Sequence, residues 1–246
     1  MRKYYFTHST LHIVHCTLYI AFLLFTFDFA HAQSDSLAPK DQYRHFVMPT
    51  GKPVDHPYLG VWELAFLQGG FGIADIVSIT AGITVMPTVS FKSQIGYVQA
   101  KFTLADEGGV AFALGANLLR MTSEFFYTHV FASATAEFQD ETRYTGLIFV
   151  KSSGEEHPDV KVYPYGNFTF NYTGFIGAGI GFDKPIKAIP HTRFFAEIWN
   201  HDLSSAKNIA IDCGIRIEND HFSSDFGLMY FAVPLLAPIA NFVYRF

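Results

Sequence analysis

Between Asn208 and Glu218 the chain alternates without a break. Ile209, Ile211, Cys213, Ile215 and Ile217 stand on one side, and Asn208, Ala210, Asp212, Gly214, Arg216 and Glu218 on the other. A period of two belongs to a β-strand, whose successive side chains point to opposite faces. One face is oily and the other carries full charges, so the sheet must be covered by apolar material on one side only. The pattern recurs. Val77, Ile79, Ala81, Ile83 and Val85 alternate with Ser78, Thr80, Gly82 and Thr84, and Val98, Ala100, Phe102 and Leu104 with Tyr97, Gln99, Lys101 and Thr103. The stretches from His129 to Phe138 and from Arg143 to Lys151 repeat it. Segments of about ten residues at this period are what a tilted strand needs to cross a bilayer.

Alternation alone does not separate a soluble sandwich from a membrane barrel, since each buries one face of every strand. Composition tips the choice. Charged residues are only 16% of the 246, while Phe numbers 27 and Tyr 13, which leaves too little charge for an ordinary soluble surface and too much apolar mass for disorder. A net charge of −5 with no Lys/Arg cluster removes the footprint of a nucleic-acid binder. Two cysteines give neither a disulfide framework nor a metal knot. After Gln33 no run is long and apolar enough for a membrane helix, so any crossing must be made by strands.

Residues 1–32 have the layout of a secretory leader: Arg2 and Lys3, an apolar stretch from Leu18 to Phe27, then Ala30-His31-Ala32 before Gln33. An uncleaved anchor is the competing reading. The expected organisation is therefore a cleaved signal peptide, 1–32, and one barrel domain, 33–246. The far end agrees: Asn241-Phe242-Val243-Tyr244-Arg245-Phe246 alternates aromatic and polar, and it resembles the C-terminal signal of outer-membrane barrels, with Phe242, Tyr244 and Phe246 on one face.

The fold expected is all-β: a transmembrane antiparallel up-and-down barrel of about twelve strands, an even number that returns both termini to the periplasm. The predicted strands are Gln42 to Thr50, Leu59 to Leu67, Ile76 to Met86, Ile95 to Ala105, Val110 to Arg120, His129 to Phe138, Arg143 to Lys151, Gly174 to Phe182, Thr192 to Trp199, Asn208 to Ile217, Asp225 to Val233 and Ile239 to Phe246. Asp106-Glu107-Gly108-Gly109, Gln139-Asp140-Glu141-Thr142 and Asn219-Asp220-His221 read as short periplasmic turns, and Ser152 to Thr173 as the longest extracellular connection. Pro234 and Pro238 are expected to bracket a loop. Tyr58, Trp62, Phe91, Tyr97, Phe138, Tyr144, Trp199, Phe222 and Tyr244 are candidates for the interfacial aromatic girdles.

The stretch Phe46-Val47-Met48-Pro49-Thr50, followed by Tyr58, Glu63, Gly70-Phe71-Gly72-Ile73-Ala74-Asp75 and Ser78-Ile79 to Gly82, resembles an uncharacterised family of outer-membrane barrels of Bacteroidota-like Gram-negative bacteria. The resemblance covers about the first fifth of the mature chain. It departs from the family pattern at Gly51, where Ala is usual, at Pro53-Val54-Asp55, where Lys-Lys-Gly is usual, and at Ala74, where Thr is usual. It implies a barrel and no catalytic residues. Gly72 and Asp75 suit a tight periplasmic turn.

The candidate site is the inner face, to which alternation assigns Glu63, Lys101, Glu137, Arg143, Lys151, Arg193, Glu197, Asp212, Arg216, Glu218, Asp225 and Arg245. Opposite charges on adjacent strands pair into a polar filling, or they form a constriction that selects a permeant. The expected function is a small passive pore, solute-binding channel or structural barrel. The partners are outer-membrane lipid, the barrel assembly machinery and a small solute; no cofactor, metal or nucleic acid is expected. Two alternatives stand beside it: a lipid-modifying barrel enzyme of phospholipase or lipid A deacylase type, and a soluble lipocalin-like barrel. For the enzyme, His129 with Ser133, His201 with Ser204 or Ser205, and His221 with Ser223 or Ser224 are the pairs to inspect. His129 and Ser133 share a face but stand about 13 Å apart, too far to pair directly. Glu155, Glu156, His157 and Asp159 read as a solvated acidic loop rather than a cation site.

Overall fold

The computed structural model describes residues 47–246, apart from 63–65, 86–89, 92–93, 121–125, 155–158, 163–165, 170–173 and 232–234. The leader and Phe46, with most of the strand predicted over Gln42 to Thr50, lie outside the described residues. So do Glu63, Glu155, Glu156 and His157.

Twelve strands close into an antiparallel barrel. They are β1 (Tyr58–Trp62), β2 (Phe66–Ile73), β3 (Val77–Thr84), β4 (Gly96–Glu107), β5 (Val110–Arg120), β6 (Phe126–Glu137), β7 (Arg143–Ser153), β10 (Ile176–Pro185), β11 (Thr192–Asn200), β12 (Ile209–Glu218), β13 (Phe222–Phe231) and β14 (Leu235–Arg245). Each pairs with its neighbours along the chain, and β14 returns to β1 with Tyr58 opposite Arg245 and Trp62 opposite Asn241. Between β7 and β10 the long connection carries its own hairpin, β8 (Asp159–Val162) with β9 (Gly166–Thr169).

Local chemistry places the reversals at one end. Gly108 and Gly109 both take left-handed backbone, at φ 62° and 80°, so β4 turns into β5 with no side chain to strain. Ala74 and Asp75 make the β2–β3 turn, Glu141 lies in the β6–β7 turn, and Asn219 Oδ1 accepts from Phe222 N at 2.7 Å where β12 turns into β13. The three predicted short turns are present. They share an end with the start of β1 and the end of β14, the end that faces the periplasm in bacterial barrels.

The two faces are inverted relative to a soluble protein. Leu104, Ile180 and Leu59 point outward and are 64%, 61% and 59% exposed, while Asp212, Asp183 and Asp225 point inward and are each 1% exposed. A continuous apolar exterior over a charged interior requires hydrocarbon around the wall. That arrangement excludes the lipocalin-like alternative, whose oily face would point inward. Near the turn end an outward aromatic chain runs Phe138, Tyr144, Phe182, Phe194, with centroids 5.8, 5.1 and 6.2 Å apart. On β14 at the same end, Tyr244 and Phe246 form a second outward pair, 5.3 Å apart. These rings form a girdle at the interface. Four predicted girdle members do not. Tyr58 is buried, and Trp62, Tyr97 and Trp199 share their inward faces with Tyr58, Lys101 and Glu197 respectively.

Cys213 stands outward in the middle of β12 and is exposed to whatever surrounds the wall. Outside residues 1–32 it is the sole cysteine. In lipid vesicles a charged, water-confined maleimide should leave it unlabelled over a time in which the urea-unfolded chain labels fully. Rapid labelling in vesicles would show that water, not lipid, covers this face.

The strand count of twelve holds, but two of its members differ from expectation. Val47 to Thr50 is not part of the wall. The predicted strand Leu59 to Leu67 is instead two, β1 and the start of β2, paired with Trp62 opposite Phe66. Gly72 is a strand residue, and the turn falls one step later, at Ala74-Asp75. Pro238 lies inside β14, opposite Leu228. The described pairing of β14 with β1 ends at Trp62 opposite Asn241, three residues short of Pro238.

Candidate functional site

Val47 to Pro57 runs inside the barrel before entering the wall at Tyr58. Glu197 on β11 accepts from the backbone N–H groups of Val47 and Met48, at 3.0 and 3.2 Å to Oε2. Ser133 Oγ donates to Thr50 O at 3.1 Å, Gly51 N donates to Thr135 Oγ1 at 2.9 Å, and Thr103 Oγ1 donates to Gly51 O at 3.3 Å. Lys101 Nζ donates to Thr50 O at 2.9 Å and also to Lys52 O. At the turn end, Lys52 Nζ reaches Asp106 at 3.0 Å and Glu137 at 3.4 Å, and Val54 N donates to Ser78 Oγ at 2.9 Å. Burial works against the charge of Lys52, but the bond to Asp106 and the field of Glu137 outweigh it and hold its pKa above the usual 10.5. The segment is thus a plug. Side chains of the wall bond its backbone at Val47, Met48, Thr50, Gly51, Lys52 and Val54, and Pro57 O accepts from Phe246 N at 2.9 Å where the segment meets the wall.

Two apolar patches complete the seat. Val47 packs with Trp199 against buried Phe195, Met229 and Ile239, and Val54 sits with Tyr58 and Val243. Glycines make room. A Cβ on Gly51 would overlap the carbonyl of Ala111, and one on Gly72 would overlap the carbonyl oxygen of Val54.

Near the turn end a belt of charge crosses seven strands. Glu137 stands opposite Arg143, Arg143 opposite Asp183, Arg193 opposite Arg216, Arg216 opposite Asp225, and Asp225 opposite Asn241. Two arginines face each other directly, so they need acid between them. Asp183 supplies it, pairing with Arg193 Nε and lying 3.6 Å from Arg216. Arg216 closes on Asp225 through Nε at 2.5 Å and a second nitrogen at 2.9 Å, a bidentate geometry. Asn241 Nδ2 donates to the same carboxylate at 2.9 Å, and Glu218 stands 3.9 Å from Arg193.

The loop-end half of the lumen is different in kind. Phe66 and Tyr97 stack at 5.8 Å with an 8° interplanar angle, Trp62 tilts onto Phe66 at 6.3 Å, and the Tyr97 hydroxyl donates to Gln68 at 3.3 Å. Across the sheet, His129 lies edge-on to Phe149 at 5.7 Å and its Nδ1 is 2.9 Å from Asn117 Oδ1. Trp62, Phe66, Tyr97, Phe149 and Trp199 are half-buried, whereas the inward residues around the plug are buried.

Of the residues singled out from sequence, Lys101, Arg143, Lys151, Arg193, Glu197, Asp212, Arg216, Glu218, Asp225 and Arg245 are buried on the inner face, and Glu137 is partly buried beside Arg143. Lys101 and Glu137 meet the plug, Glu197 caps its start, and Arg143 to Asp225 form the belt. Lys151 lies apart, in the loop-end half. Asp183 was missed because the predicted strand stopped at Phe182, one residue short. Lys52 was missed because it follows the predicted strand Gln42 to Thr50 and so fell in a connection; Pro49 was the available signal against a wall strand there. Outward-facing Phe242, Tyr244 and Phe246 alternate with inward Asn241, Val243 and Arg245. Of the hydrolase candidates, Ser133 is bonded to the plug and His129 to Asn117, and Ser204 Oγ donates to Asp202 at 2.5 Å.

No protein-family description and no curated protein matches this chain. Among solved structures, the KdgM porin superposes with a TM-score of 0.54 at 8% identity, over 77% of this chain and 97% of that one. OccAB2 of Acinetobacter baumannii matches at 0.39 and 8% identity, over 84% of this chain and 62% of that one. The chain has the fold of a porin barrel.

Proposed function

We propose that this is an outer-membrane channel for small solutes, built as a porin barrel and closed at mid-lumen by its own N-terminal segment. The observation that carries the reading is the manner of attachment of Val47 to Pro57. From Val47 to Val54 the segment is held by hydrogen bonds and ion pairs with wall side chains and by two small apolar contacts, and these can be released without unpairing the wall strands. The likeness to a solved porin supports the channel, and the apolar exterior supports outer-membrane lipid as the surrounding partner. Residues 1–32 would direct export. Phe242, Tyr244 and Phe246, on an outward-facing terminal strand, would be read by the barrel assembly machinery. The motif from Phe46 to Asp75 supports kinship with the uncharacterised Bacteroidota-type barrels. The role is non-catalytic: Ser78 and Ser133 are taken up by the plug and His129 by Asn117, rather than paired as nucleophile and base.

Planar-bilayer recording of the refolded chain tests this directly. Long closed intervals broken by discrete steps are expected. A steady, full current from every inserted molecule would overturn the closed lumen, and release of fatty acid from phospholipid or lipid A by the purified protein would overturn the non-catalytic role.

A further inference from the structure

We infer that Glu197 and Asp212 form a binding site for one hard divalent cation of the calcium type, set in the lumen wall where the plug begins. Register places the two residues opposite each other on β11 and β12, and both point inward, 2% and 1% exposed. Two acids side by side are not in themselves a site. What marks this pair is Asp212, whose Oδ1 and Oδ2 are both sealed from solvent with no hydrogen-bond partner among the described residues. A buried carboxylate in that state is costly unless a positive partner meets it. Asp106, Glu137, Asp183, Glu218 and Asp225 each have one. The first two reach Lys52, Asp183 pairs with Arg193 and Asp225 with Arg216, and Glu218 stands 3.9 Å from Arg193.

The wall around Asp212 supplies no base. On its own strand the inward neighbours are Ala210 and Gly214, and on β13 it faces Met229, which packs with Phe195 and Ile239 in an apolar patch. Arg216, the arginine of β12, is already held by Asp225 in bidentate fashion and by Asp183. The charged side chain opposite Asp212 is therefore Glu197, and it is negative. Glu197 accepts from the N–H groups of Val47 and Met48, but a carboxylate has about four lone-pair sites and can hold an ion as well. Carboxylate oxygens, with no histidine or thiolate among them, are the donors of a hard cation, and two negative charges match a divalent one. Calcium tolerates an irregular oxygen cage where magnesium demands an octahedron. Such an ion would tie β11 to β12 and steady the carboxylate that caps the start of the plug. The site goes beyond the channel reading and does not depend on it.

The test uses the full chain in a neutral detergent, refolded once in chelator and once in calcium chloride, so that slow entry into a closed barrel does not hide binding. Calcium would be titrated into the chelator-refolded protein by isothermal calorimetry, and the urea midpoint of both samples read by gel shift. Saturable binding of about one ion per chain and a higher urea midpoint in calcium are expected. Asp212→Asn, which keeps the size of the side chain, should weaken calcium binding about tenfold or more and abolish the midpoint shift. Glu197→Gln should do the same, and it decides the matter if the Asp212 variant does not fold. Glu107→Gln combined with Asp140→Asn removes two exposed acids of the turns and should leave both readouts in place. An unmodified chain with equal midpoints in calcium and chelator would overturn the site. So would an undiminished calcium response in either folded lumen variant, or its loss in the turn variant. No current is measured, so failure of the channel reading and failure of this site are separate results.

Discussion

Replacing Gly51 by valine should turn a quiet barrel into a conducting one. The Cβ would meet the carbonyl of Ala111, which belongs to the β5 backbone and has no softer place to go. The plug must yield instead. As it lifts, Lys101 loses the carbonyls of Thr50 and Lys52, and Ser133, Thr103 and Thr135 lose Gly51 and Thr50. A buried ammonium stripped of its acceptors draws water into the lumen, so the mean open current should rise about tenfold or more over the unmodified chain. A second variant, lacking residues 34–56 and so retaining all twelve wall strands, guards against a folding defect peculiar to valine. Single-channel recording decides. Identical currents from the unmodified chain, the Gly51 variant and the truncated chain, all showing native barrel mobility, would mean that the segment does not close the lumen.

Arg216→Met should cost the barrel about 3–5 kcal/mol, the usual penalty for breaking a buried ion pair from one side. The guanidinium answers Asp225 in bidentate fashion and helps to hold Asp183, and all three groups are almost wholly removed from solvent. Without it, Asp225 is left with the Asn241 amide as its partner among the described residues. The exposed pair Lys184–Asp140, 3.6 Å apart on the turn rim, gives the comparison. Lys184→Ala should change stability by about 1 kcal/mol or less. Urea unfolding followed by the gel shift between compact and unfolded barrel measures both. An Arg216 variant as mild as the Lys184 variant would show that water fills the belt and screens it.

Much of this architecture was legible in the alternation. Ile209 to Glu218 displays the lipid face and the lumen face outright, because a strand buried in hydrocarbon on one side has no freedom to mix them. The glycines at 108 and 109 and the Asn219 turn were equally open to inspection, since left-handed backbone and side-chain capping select a short list of residues. The β1–β2 reversal was not, for Glu63-Leu64-Ala65 carries none of those residues. Nor was the plug. An extended segment inside a barrel alternates its side chains much as a wall strand does, and only the spacing of Pro49, Pro53 and Pro57 argued otherwise. Aromatic residues were the least legible part. Tyr97 and Trp199 look like girdle residues by type, and only their parity with Lys101 and Glu197 places them indoors. Which charges meet, such as Asp183 with two arginines, depends on register between strands far apart in sequence.

The plug is continuous with β1, and β1 is one side of the seam that β14 closes. A peptide already laid along the growing inner surface can be enclosed by rolling the sheet around it. The segment joins the wall at the seam itself, and the strand that closes the cylinder, β14, pairs with the strand that carries it.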